Sequence, residues 1–185
     1  MIEETTNGKA TITFDGLIMK IQIPSKKNWF MIIFMIAWLG GWLMGELSAL
    51  REIENEMNSF MLFWLIGWTI GGGFMITGII WSLLGFEVIT IDNQVLQIER
   101  QIVNFRVYRK EYELKFLKGL ELNPGQASTD LFTQKKPGEF WGMTGGKIKF
   151  DYGMKTIKFG IGIDIVEARY LINEIVKKGY YKHID

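Results

Sequence analysis

Between Lys27 and Glu46, and again between Glu56 and Glu87, the chain carries no charged residue. The first run, Trp29 to Gly45 (WFMIIFMIAWLGGWLMG), rises about 1.5 Å per residue as a helix and so nearly matches a hydrocarbon core of about 30 Å. The second, centred on Phe60 to Leu84 (FMLFWLIGWTIGGGFMITGIIWSLL), is long enough to span with some tilt. Two such runs joined by a short acidic connection, Glu46 to Asn58, describe an antiparallel transmembrane helical hairpin, with helices at about 29–50 and 59–84. A buried hairpin of a soluble helical protein would rarely keep two adjacent segments of this length free of charge.

Each run holds a small-residue pair at the spacing that lets helices approach closely in lipid, Gly41 with Gly45 and Gly67 with Gly71. Antiparallel pairing would set Gly41 against Gly71 and Gly45 against Gly67, and these four are the candidate helix-packing residues. Glycine is also simply common in membrane helices. Orientation follows from the cations. The acidic connection holds Arg51 and four glutamates, whereas Lys20, Lys26 and Lys27 precede the first span and Arg100, Arg106, Arg109 and Lys110 follow the second. Both termini are therefore expected in the cytoplasm. The first apolar run follows 28 more polar residues, so the first helix is expected to act as a signal anchor, not as a cleaved signal.

The remaining chain reads as strands. Lys9 to Ile23 alternates around Asp15-Gly16, a hairpin signal, so residues 1–27 are expected to form a β-hairpin. A lone hairpin is marginal in water, and the sheet it would join is the C-terminal domain. From Glu87 onward, EVITI and VLQIER flank an Asp92-Asn93 turn, and FRVYRKEYEL, LKGLEL, GKIKFDYG and KTIKFG continue an antiparallel meander. Asp164 and Glu167 then form a capping-box pair at the start of a helix over 164–178, ended by Gly179. The predicted class is an α+β membrane protein, with the hairpin at 28–86 and a cytoplasmic β domain at 87–185.

Six strands closed by a C-terminal helix resemble a pleckstrin-homology-like domain of the bacterial type, and GGKIKFDYGMKTIKFGIGIDIVEA, Gly145 to Ala168, is similar to a stretch of small, mostly uncharacterised bacterial two-span proteins. The resemblance implies a PH-like sheet or barrel and a multi-pass protein of the bacterial plasma (inner) membrane. The family pattern has seven strands, so one must come from the N-terminal hairpin or from Phe140 to Thr144.

No catalytic constellation emerges. His183, the sole histidine, has no partner nearby in sequence, and cysteine is absent, which excludes disulfides and thiolate chemistry. Gly142 to Lys147 (GMTGGK) lacks the spacing of a phosphate loop and leads into a strand. The first loop of the β domain, Asp92-Asn93, lacks the cations a phosphoinositide would need. A net charge of +1 gives no basis for nucleic acid as a partner. No cofactor or metal site is expected. The longest irregular stretch, Asn123 to Gly145, is the natural contact loop. Lys135, Lys136, Trp141, Lys147 and Lys149 are the candidate partner or lipid contacts. Expected partners are the lipid bilayer, a protein of unspecified identity, and a second copy packed through the spans. The expected function is a non-enzymatic, membrane-anchored interaction or assembly module. The alternative is an accessory subunit or regulator of a membrane transport complex acting through its spans.

Overall fold

The computed structural model describes residues 2–55, 59–123 and 145–181. It divides into two compact units, residues 27–83 and the remainder.

The larger unit is built from nine strands and one helix among the described residues. Strands β1 (Ile2–Asn7), β2 (Ala10–Asp15), β3 (Ile18–Pro24), β4 (Gly85–Ile91), β5 (Val95–Ile102) and β6 (Phe105–Glu113) form one antiparallel sheet in sequence order. The turns follow from local chemistry. Gly16, with φ of 60°, supplies the left-handed step between β2 and β3. Asp92 Oδ1 accepts from the Gln94 and Val95 amides at 2.7 Å each, which closes the β4–β5 turn. The N-terminal strands continue the C-terminal ones, because β3 pairs with β4 from Met19↔Ile91 to Pro24↔Phe86. The N-terminal arm contributes three strands where the sequence reading expects two, the extra one being the polar β1.

After β6 a turn of 3₁₀-helix, Leu114–Phe116, interrupts the ladder. The chain then enters a second antiparallel sheet, β7 (Leu117–Leu122), β8 (Ile148–Tyr152) and β9 (Lys155–Phe159). The larger sheet therefore does not close into a barrel, which corrects the PH-like barrel as expected from sequence. Gly119, with φ of 62°, lies where the β7–β8 register shifts between Lys118 and Glu121.

The two sheets share one core with the helix Ile165–Lys177, here α3. Ile12, Met19, Ile21, Ile23, Ile89, Ile91, Leu96 and Ile98 of the large sheet meet Leu117, Ile148, Phe150 and Phe159 of the small one and Ala168, Leu171 and Ile175 of α3. Asp164 caps α3 by accepting from the Glu167 amide, and Glu167 accepts from the Asp164 amide in return. The other oxygen of Glu167 accepts from the Lys9 amide, so one buried carboxylate both completes the cap and ties α3 to the β1–β2 turn.

The smaller unit consists of α1 (Trp29–Asn55) and α2 (Ser59–Leu84), each long and apolar enough to cross a membrane. α1 runs beyond the expected end near Leu50 to Asn55. The hydroxyls of Ser48, Thr77 and Ser82 donate to the carbonyls of Met44, Gly73 and Gly78, so these polar groups are satisfied within their own helices.

Candidate functional site

Besides the α3 cap with its buried Glu167, polar chemistry meets burial among the described residues at the seam between α1 and α2 and on β4 and β5, at Glu87 and Glu99. The less exposed positions of α1 include Ile32, Met35, Leu39, Trp42, Glu46 and Ala49, and those of α2 include Met61, Leu65, Trp68, Gly72, Met75, Ile79 and Ser82. Both follow alternating steps of three and four, the pattern of left-handed helix packing. Trp42 Nε1 donates to the Trp68 carbonyl at 3.2 Å, and Trp68 Nε1 to the Trp42 carbonyl at 3.4 Å. Trp64 stacks on Trp68 with ring centroids 4.8 Å apart, and Trp38 lies 6.3 Å from Trp68.

This seam displaces the expected glycine register. A Cβ added at Gly41, Gly67 or Gly71 would meet nothing within 4 Å, so these three do not pack in the hairpin. Gly45 lies beside the Trp68 indole, with a Cβ position 3.7 Å from the ring. The glycine that the seam requires is Gly72, whose missing side chain leaves the space filled by the Trp42 indole. The physical reason is phase and area. Gly41, Gly67 and Gly71 fall one residue off the three-four stripe, and an indole at about 150–250 Å² buries more surface than a close backbone approach.

Glu46, inside the expected first helix and the first residue of the acidic connection, lies on the same stripe of α1. Its Oε1 is 2.5 Å from Thr69 Oγ1, and Thr69 also bonds the Leu65 carbonyl at 2.8 Å. Glu46 Oε2 is buried with no hydrogen-bond partner among the described residues. The spacing Trp42, Glu46, Ala49 would have revealed this position.

In the β unit, Glu87 shares the core face of β4 with Ile89 and Ile91. Its Oε2 accepts from the Gly160 amide at 2.7 Å and the Ile161 amide at 3.3 Å, and Arg100 Nε stands 3.7 Å from its other oxygen. Burial pushes the Glu87 carboxyl above its usual range, against the opposing pull of Arg100 and the two amides. Glu99, on the opposite face, is held by Gln97, Gln101, Arg106 and Arg109. Both carboxylates are engaged by backbone amides, glutamines or arginines of the β unit.

Of the candidate contacts, Lys135, Lys136 and Trp141 lie outside the described residues. Lys149 Nζ pairs with Glu121 at 2.9 Å, a hydrogen bond that holds the ammonium above the usual lysine value. Lys147 is fixed through its backbone, donating to the Gly160 carbonyl at 3.1 Å. What the structure adds is the base of the contact loop. Asn123 donates from its amide to the Lys147 carbonyl at 2.7 Å and from Nδ2 to the Gly146 carbonyl at 2.6 Å, so the described residues on either side of 124–144 are clamped together.

The seam is directly testable because the chain has no cysteine. Cysteines at Glu46 and Thr69 are expected to crosslink, whereas cysteines at Gly41 and Gly71 are not. Gly72→Ala, which drives a methyl into the Trp42 ring, is expected to destabilise the hairpin by about 1–3 kcal/mol. Gly71→Ala is expected to change it by under about 0.5 kcal/mol. Crosslinking at 41 with 71, or equal effects of the two alanines, would restore the glycine register.

No family model, curated protein or solved structure matches the chain.

Proposed function

We propose that the protein is a non-enzymatic, membrane-anchored interaction or assembly module of a bacterial plasma membrane. In this reading α1 and α2 cross the bilayer as a hairpin, both termini are cytoplasmic, and a PH-like β domain presents the segment 124–144 to a protein partner. The observation that carries the reading is how the apolar helices are inserted. The Ser25 amide donates to the Gly85 carbonyl at 2.9 Å, so the chain leaves the sheet for α1 and returns from α2 between two paired neighbouring strands. Such an insertion suits a β domain held against one membrane face by a two-span anchor. The Asn123 clamp supports the interaction half of the reading, since it fixes the two points, Asn123 and Gly146–Lys147, that flank segment 124–144.

A second reading, an accessory subunit or regulator of a transport complex, is favoured by Glu46. A buried carboxyl with one unpaired oxygen in an apolar span is costly and commonly functional.

Reporter fusions after Asn55 and after Asp185 are expected to report opposite sides, with Asp185 cytoplasmic. An external C-terminus would overturn the proposed orientation. Affinity capture from native membranes with the full chain, compared with a chain whose residues 124–144 are replaced by a glycine-serine linker, tests the function. Partners lost with the segment support the module. Transport subunits retained without it, and lost in Glu46→Leu, support the second reading.

A further inference from the structure

We infer that the β5–β6 turn is a lipid-inserting element, whose Val103 and Phe105 enter the interface of an anionic bilayer; this rests on the reading of α2 as a span. The turn is tied to the end of that helix. Ile102 pairs with Phe105 across it, Gly85 pairs with Ile102, and the Val103 amide donates to the Leu84 carbonyl at 3.4 Å. On the reading of α2 as a span, Leu84 lies near the headgroup region, and the turn is hydrogen-bonded to that residue.

The turn is built at a cost that a plain connection would avoid. A two-residue hairpin turn with φ positive at its first central residue favours glycine there. Val103 has φ of 54°, the one non-glycine in that region among the described residues, and a β-branched side chain there is strained by about 1–3 kcal/mol. Glycine takes the equivalent step at Gly16 and Gly153, with φ of 60° and 61°. The strained residue is also half-exposed, at 48%, and its neighbours on the same face of β6 are more so, Phe105 at 79% and Val107 at 63%.

Charge identifies the occupant. Lys26, two residues past Pro24, and Lys9, at the β1–β2 turn, lie at the same end of the sheet and are exposed. An exposed apolar tip with an aromatic ring, on a sheet end that also carries exposed lysines and hydrogen-bonded to the last residue of a span, is the composition of an interfacial anchor on anionic lipid. A tip of two or three side chains is far smaller than a stable protein interface, which buries about 800 Å² per partner.

The full chain, labelled with an environment-sensitive fluorophore at Phe105→Cys and reconstituted in phosphatidylglycerol–phosphatidylcholine vesicles containing lipid quenchers, tests the assignment. Phe63→Cys on α2 and Met154→Cys at the β8–β9 turn are the controls. Quenching at positions 105 and 63, with none at 154, is the expected result. Quenching at 63 with none at 105 overturns the insertion while leaving the span intact. No quenching at 63 removes the span and the insertion with it. Equal quenching at 105 in pure phosphatidylcholine overturns the assignment to anionic lipid. Val103→Gly relieves the backbone and is expected to raise the melting temperature while reducing the quenching at 105. A more stable variant with undiminished quenching would show Val103 to be an ordinary turn residue.

Discussion

A soluble chain in which a short linker replaces residues 25–83 is expected to unfold in one cooperative transition, and deletion of residues 1–24 from it is expected to abolish that transition. The linker can be short because Pro24 and Phe86, on either side of it, are already paired across β3 and β4. The deletion is severe because of what the N-terminal arm buries. Ile12, Met19, Ile21 and Ile23 are at most 1% exposed and sit inside the common core. Each such side chain contributes about 1.5–3 kcal/mol on burial. Four of them approach the whole stability of a domain, about 5–15 kcal/mol. Loss of β3 would also strip the edge of β4 from Phe86 to Ile91, leaving unpaired amides and an aggregation-prone edge. Urea denaturation followed by circular dichroism measures both chains. A truncated chain that unfolds as sharply as the linked one would mean that β1–β3 merely lie against a domain complete without them.

The strands were legible where turn chemistry marks them. Asp15-Gly16, Asp92-Asn93 and the Asp164–Glu167 box each announce a local structure that depends on neighbouring residues alone. The division into two sheets was not legible, because it depends on the ladder breaking at Leu114–Phe116, a stretch whose residues suit a strand equally well. β1 escaped for the opposite reason. Its sequence IEETTN carries one apolar residue, and its place in the sheet is set by pairing with β2.

In the hairpin the sequence held two competing periods. The i, i+4 glycines were the conspicuous signal, yet glycine says only that a backbone could approach. The three-four stripe through Trp42, Glu46, Trp68 and Gly72 says which face is least exposed, and it includes a carboxylate that an outward-facing reading sets aside. Glu87 was hidden more completely. It occupies a core position of β4 by alternation, where an acid is unexpected, and its partners Gly160 and Ile161 lie 73 and 74 residues away.

Glu87→Leu is expected to destabilise the linked β chain by about 3–5 kcal/mol, because it strands the positive Arg100 beside a buried apolar group and orphans the Gly160 and Ile161 amides. Glu87→Gln keeps a carbonyl oxygen for those amides and is expected to cost less. The two differ from the natural chain in pH dependence as well. Burial raises the Glu87 carboxyl in the folded state above its value in the unfolded chain, so the folded state holds this proton more tightly. The stability contributed by that proton is complete below the unfolded value, about 4.3, and is lost as pH rises through the higher folded value. The natural chain should therefore lose stability relative to Glu87→Gln as pH increases from about 4 toward neutrality. Arg100 and the two amides oppose the shift, and their pull sets how far above the ordinary carboxylate range the loss begins. Denaturation midpoints of both chains across that window measure the difference. A natural chain that gains stability over Glu87→Gln on raising the pH would show that Arg100 and the loop amides, not burial, decide the state of this carboxyl.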